Sequence, residues 1–121
     1  AVDRNNPRVS SLYDALHPAL LGALQELAQD AKRLNKPISL CGELAGDPAG
    51  ALLLMAMGFT SLSMNAPSLP KVRAAIRRVT LADAQTLLKE IMRLDTPALV
   101  HEHLNKRLDE WQLSHLLPPR D

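Results

Sequence analysis

Ile38-Ser39-Leu40-Cys41-Gly42-Glu43-Leu44-Ala45-Gly46-Asp47-Pro48 is the stretch on which the fold turns. Ile38 to Cys41 begins just after Pro37 and is too short for a helix, so it reads as a strand. Gly42 to Gly46 reads as a loop. Asp47 is placed to cap a helix and Pro48 to start it. Cys41, the one cysteine of the chain, therefore stands at the carboxyl end of a strand. In α/β folds that end carries the chemistry.

Working outward, Pro48 to Met57 is a helix with little polarity on any face, which predicts deep burial, and Gly58 is its expected C′ residue. Thr60 to Asn65 reads as a second short strand, followed by a turn at Ala66-Pro67. Ser68 is placed to cap a helix reaching about Arg78. Thr80-Leu81-Ala82-Asp83 resembles a capping box with Asp in the acidic position, starting a helix to about Arg93. Asp95-Thr96-Pro97 starts the last helix, with Val100, Leu104, Leu108 and Trp111 as its apolar stripe. Upstream, residues 1–15 read as mostly irregular. A helix begins near His17-Pro18, and Leu20, Leu24, Leu27, Ala31 and Leu34 recur at helical spacing as its expected core face. Leu117 to Asp121 reads as a frayed tail.

Strand, helix, strand, helix is the grammar of a parallel sheet. Two strands are too few for a stable sheet of that kind, and a complete (β/α)8 barrel takes eight strands in typically about 250 residues. With 121 residues, the expected fold class is α/β and mostly helical. It is a C-terminal fragment of a TIM-type barrel of about two strands, with a helical C-terminal extension. The N-terminus has no initiator Met and reads as cut from something longer.

Composition narrows the function. Apolar residues make up 46%, dominated by Leu and Ala, with one Tyr, one Phe and one Trp. That core favours helices over an all-β design. A formal net charge of +1 gives no global field for nucleic acid or an anionic membrane. The apolar run Ala49 to Phe59 is too short for a bilayer, which needs about 20 residues. A lone cysteine has no partner within the chain for a disulfide and fits a cytoplasmic protein. The absence of Gly-Lys-Ser/Thr argues against a nucleotide P-loop. His101 and His103 point to different helix faces, which argues against zinc. Lys71, Arg73, Arg77 and Arg78 read as a solvated basic helix face.

The octet Cys41-Gly42-Glu43-Leu44-Ala45-Gly46-Asp47-Pro48 resembles the C-terminal part of the phosphoenolpyruvate-binding barrel of enzyme I of the bacterial phosphotransferase system, its nitrogen-related branch in particular. Ala1-Val2-Asp3-Arg4 and Ser61-Leu62-Ser63-Met64 are similar to the family's segments before and after the cysteine, in the same order and at matching spacing. The resemblance places Ala1-Val2 just after barrel strand six, Ile38 to Cys41 on strand seven and Thr60 to Met64 on strand eight. It weakens beyond Thr80, which divides the chain into residues 1–79, the last part of the barrel, and residues 80–121, the extension.

The chemistry the resemblance implies is specific. Phosphoenolpyruvate gives its phosphoryl group to a histidine elsewhere in the protein, and the enolpyruvate left behind gains a proton at its methylene carbon. A neutral thiol, with a reference pKa of about 8.5, is a suitable acid. By resemblance Cys41 is that proton donor. Arg4 binds the substrate phosphate or carboxylate, for which a planar guanidinium is suited. Gly42 leaves the thiol unobstructed, and Glu43 supports the loop without a catalytic role. Asp47 is read as a helix cap, Met64 as core packing and Asn65 as a turn residue, with a place at the pocket mouth as the alternative for Asn65. The resemblance puts the Mg2+ ligands, two further arginines and the phosphate-accepting histidine in segments outside this chain, with no metal ligand in it. It also implies an HPr-like phosphocarrier partner, phosphoenolpyruvate and pyruvate as ligands, a homodimer and inactivity of these residues alone. Two rivals stand beside this reading: a piece of a pyruvate phosphate dikinase or phosphoenolpyruvate synthase, which share the barrel and cysteine role, and a non-catalytic dimerisation module.

Overall fold

A computed structural model describes residues 16–116, so Arg4 and the tail 117–121 lie outside the described residues. Two parallel strands lie among helices in this order: α1 (Pro18–Arg33), β1 (Ser39–Cys41), α2 (Glu43–Gly46), α3 (Pro48–Met57), β2 (Ser61–Ser63), a 3-10 turn (Ala66–Ser68), α4 (Leu69–Arg78), α5 (Leu81–Ile91), α6 (Pro97–Glu110) and a closing 3-10 turn (Ser114–Leu116). The chain is thus mostly helical with a two-stranded parallel sheet, as expected. The strands pair with each other, Ser39 with Ser61, Leu40 with Leu62 and Cys41 with Ser63. Thr60 locks the entry to the sheet: its hydroxyl donates to the Ile38 carbonyl at 2.8 Å and accepts from the Ile38 amide at 3.1 Å.

The core is built around α3. Pro48 through Leu54 and Met57 are all buried, as a helix without a polar face must be. Asp47 caps it, its carboxylate accepting from the Gly50 amide at 2.9 Å, and Gly58 closes it in the left-handed region at φ 106. Gly50 lets α3 approach α2 closely, because a Cβ there would fall less than 3 Å from both the carbonyl oxygen and the side chain of Leu44. α5 packs along α3, bringing Ala84, Leu87, Leu88 and Ile91 into the same core. Val100, Leu104 and Leu108 of α6 follow. Thr80 and Thr96 cap α5 and α6 as read from sequence, accepting from the amides of Asp83 and Leu99.

The structure departs from the sequence expectations in four places. First, α1 is rotated from the expected face: Leu21, Leu24 and Ala28 are buried, whereas Leu20, Leu27 and Leu34 are 42%, 55% and 65% exposed. Both sets satisfy helical spacing, and periodicity cannot say which one faces α3. Second, Gly42 to Gly46 is not all loop, since Glu43–Gly46 makes one helical turn, too short to leave a periodic signal. Third, Ser68 gives α4 no side-chain cap. A 3-10 turn precedes the helix, and its cap is Asn65, whose Oδ1 accepts from the Ser68 amide at 3.1 Å. Fourth, Arg78 does not belong to a merely solvated face. Its guanidinium donates to the Trp111 carbonyl at 3.1 Å and to Gln112 Oε1 at 2.7 Å. It thereby ties α4 to the segment after α6, where Gln112 turns through φ 62.

α5 and α6 are joined by a polar clasp. His103 Nε2 lies 2.9 Å from Glu90 Oε1, and Arg107 Nε lies 3.3 Å from the same oxygen. The His103 hydrogen bond holds the Glu90 carboxyl below its ordinary range, against the opposing effect of burial and with help from the charges of Arg107, His103 and Arg93. Among the described residues no helix is long and apolar enough to cross a membrane.

Candidate active site

Strand alternation decides which side chains meet. Leu40 and Leu62 are half-buried and pack against the core, whereas Ser39, Cys41, Ser61 and Ser63 are exposed. Successive strand residues point to opposite faces, so these four share the face turned away from the helices. The register sets Cys41 beside Ser63 at the carboxyl ends of two parallel strands. The thiol is free and exposed.

Gly42 makes the turn that leaves this thiol uncovered. Its φ of 123 and ψ of −163 fall in a region that is essentially glycine's alone. Its amide still reaches back to the Ser63 carbonyl at 3.3 Å, extending the strand pairing by one bond before the chain turns into α2. Beyond Gly42 opens a cleft of about 590 Å³. Cys41, Gly42, Glu43 and Asp47 line it from the first strand–helix unit; Ser63, Met64, Asn65, Ser68 and Lys71 line it from the second. Leu116, from the closing 3-10 turn, also lines it.

The structure therefore brings together Cys41, Gly42 and Glu43, three residues singled out from sequence, and Asp47 serves as the cap it was read to be. Arg4 lies outside the described residues. Met64, read as core packing, is only half-buried and lines the cleft instead, because it follows the last residue of β2. Asn65 fills the turn role expected of it. Ser63, Ser68 and Lys71 line the cleft beyond what the sequence pattern leads one to expect. A signal for Ser63 existed in the alternation of Ser61-Leu62-Ser63, which repeats that of Ser39-Leu40-Cys41. Lys71 was hidden in a basic cluster whose other members face elsewhere: Arg73 and Arg77 border a separate apolar groove on β2 and α4, and Arg78 binds the C-terminal segment.

The described residues do not compose a metal site. No group of three or more His, Cys, Asp or Glu among them is placed to hold an ion. Of the two cleft carboxylates, Asp47 is engaged by the first turn of α3.

A thiol and polar side chains are gathered at the carboxyl end of a βαβ unit, the end at which α/β folds bind small molecules. Residues 1–81 match the family described as PEP-utilising enzyme, PEP-binding domain, and the chain belongs to that family. A Salmonella typhimurium protein named "Phosphoenolpyruvate-dependent phosphotransferase system" is 48% identical over 89 residues, covering 74% of this chain and 12% of its own length. A Haemophilus influenzae "Phosphoenolpyruvate-protein phosphotransferase" is 36% identical over 114 residues, 94% of this chain and 20% of its own. A Haloferax volcanii protein of the same name is 39% identical over 104 residues, 86% of this chain and 18% of its own. The chain spans between 12% and 20% of the length of these relatives, and the latter two are enzymes by name.

Proposed function

We propose that these residues are the proton-donating part of a phosphoenolpyruvate–protein phosphotransferase of the nitrogen-related enzyme I type. The observation that carries the reading is the position of Cys41: an exposed thiol at the carboxyl end of a parallel strand, beside Ser63, opening on a polar-lined cleft. The phosphoryl group of phosphoenolpyruvate passes to a histidine in another part of the polypeptide and then to an HPr-like carrier. The P–O bond to the enol oxygen breaks, and the electron pair stays on that oxygen. The methylene carbon of enolpyruvate then takes the Cys41 proton, giving pyruvate, and the thiolate regains a proton from solvent. Gly42 keeps the thiol clear, Glu43 supports the turn, and Arg4 binds the substrate's phosphate or carboxylate. General acid catalysis of this kind contributes typically 10²–10⁴-fold.

In this reading β1 and β2 are the last two strands of a (β/α)8 barrel, with residues 1–79 its closing part and residues 80–121 a helical extension. Magnesium is held by residues outside this chain, and these residues alone are inactive. The open polar face of the sheet and the exposed Leu20, Leu27 and Leu34 of α1 are surfaces for the rest of the barrel and for a second copy in a homodimer. The protein works in the cytoplasm.

The test is transfer of label from [³²P]phosphoenolpyruvate, with magnesium, using the full-length protein. Label on a histidine that moves to an HPr-like carrier without any nucleotide is the expected result. Label transfer that requires AMP or ATP would replace this reading with the dikinase one.

A further inference from the structure

We infer that Lys71 and Asn65 form an oxyanion-binding pair in the Cys41 cleft and hold the charged end of the substrate there. The inference rests on that cleft being the substrate site. It names two contacts supplied by the second strand–helix unit.

Asn65 is oriented by its neighbour. Its Oδ1 accepts from the Ser68 amide at 3.1 Å and from the Ser68 hydroxyl at 2.6 Å. A backbone amide can only donate, so the side-chain oxygen must face Ser68. The amide nitrogen of Asn65 and its two hydrogens then face away from Ser68, and among the described residues they have no partner. Lys71 begins one turn later, in the first turn of α4, and lines the same cleft. Among the described residues its ammonium makes no hydrogen bond or ion pair. The carboxylate of Asp47, on the same cleft, is turned into the first turn of α3. Glu43 is exposed at the start of α2.

Among the described residues the cleft therefore presents one uncommitted cation, Lys71, and one uncommitted amide donor, Asn65, both from the second strand–helix unit. An ammonium is a compact point charge suited to phosphate or carboxylate, and its bonds to such groups are charge-assisted. Of the four basic residues on α4, Lys71 is the one that lines the Cys41 cleft.

The test reads anion occupancy rather than turnover. The full-length protein is alkylated with iodoacetamide, and modification of Cys41 is followed by peptide mass spectrometry against rising phosphoenolpyruvate, inorganic phosphate or pyruvate. The inference expects protection in the wild type. It expects a rise of tenfold or more in the half-protecting concentration for Lys71→Met and much less for Lys71→Arg. Asn65→Asp keeps the acceptor for Ser68 while replacing the donor with a second acceptor, and it weakens protection without loosening the turn. The phosphate and pyruvate arms tell which end of the substrate the pair holds. No protection by any of the three anions, or Lys71→Met protected within twofold of wild type, overturns the inference. Protection without phosphoryl transfer to protein would sink the phosphotransferase reading and leave the anion pair standing.

Discussion

Replacing Gly42 with L-alanine and with D-alanine isolates the backbone strain on which the exposed thiol depends. A Cβ at Gly42 meets no atom within 4 Å, so neither a clash nor new packing enters the balance. What remains is torsional. At φ 123 and ψ −163 an L-residue is in a region that only glycine occupies readily, at a cost of about 1–3 kcal/mol. The same angles mirror ordinary extended backbone, so a D-residue adopts them without strain. Both alanines remove the same unfolded-state freedom, a gain of about 0.4–1 kcal/mol. The D and L variants should therefore differ by the strain alone, about 1–3 kcal/mol. The D variant should be at least as stable as wild type and the L variant less so. Cys41, the sole cysteine and the residue just before Gly42, is a natural ligation point for assembling both chains from synthetic segments. Urea unfolding can be followed through the single tryptophan, Trp111, whose ring lies 4.8 Å under the Arg107 guanidinium. Indistinguishable midpoints for the two variants would refute the claim that glycine is required for this turn.

Packing, the Glu90 clasp and the Arg78 tether give four further outcomes. Gly50→Ala forces a Cβ against the Leu44 backbone and should destabilise by about 1–3 kcal/mol. Gly22→Ala meets only Met92 Cε at 3.8 Å and should stabilise α1 by up to about 1 kcal/mol, so thermal unfolding of the pair should shift in opposite directions. Glu90 has its carboxyl held below the ordinary range in the folded state. Its stabilisation is therefore complete above the unfolded value of about 4.3 and is lost as pH falls through the lower folded value. Urea midpoints of wild type and Glu90→Gln should converge on acidification, and a constant gap down to pH 3 would contradict the clasp. Arg78→Ala removes the bonds to Trp111 and Gln112, and hydrogen exchange over residues 111–116 should quicken while α3 stays protected.

Local chemistry made much of the fold legible. Asp47 with Pro48, Thr80, and Thr96 with Pro97 mark helix starts through side-chain oxygens that accept from orphan amides, and Gly58 marks a helix end. These signals act over three or four residues, so no tertiary information is needed to read them. The face of α1 is different. Leu20, Leu24 and Leu27 and the alternative Leu21, Leu24 and Ala28 are both helical stripes, and only the position of α3 selects between them. The candidate site divides in the same way. Cys41 and Gly42 are adjacent in sequence and are readable together. Lys71 and Asn65 join them only because β2 lies parallel to β1 in one particular register.

The most direct test of the account is the rate of pyruvate formation from phosphoenolpyruvate by the full-length protein and its Cys41→Ala variant, with magnesium and an HPr-like carrier present. Loss of the general acid should slow the variant by about 10²–10⁴-fold. A variant within twofold of wild type would contradict the assignment of Cys41 as the proton donor.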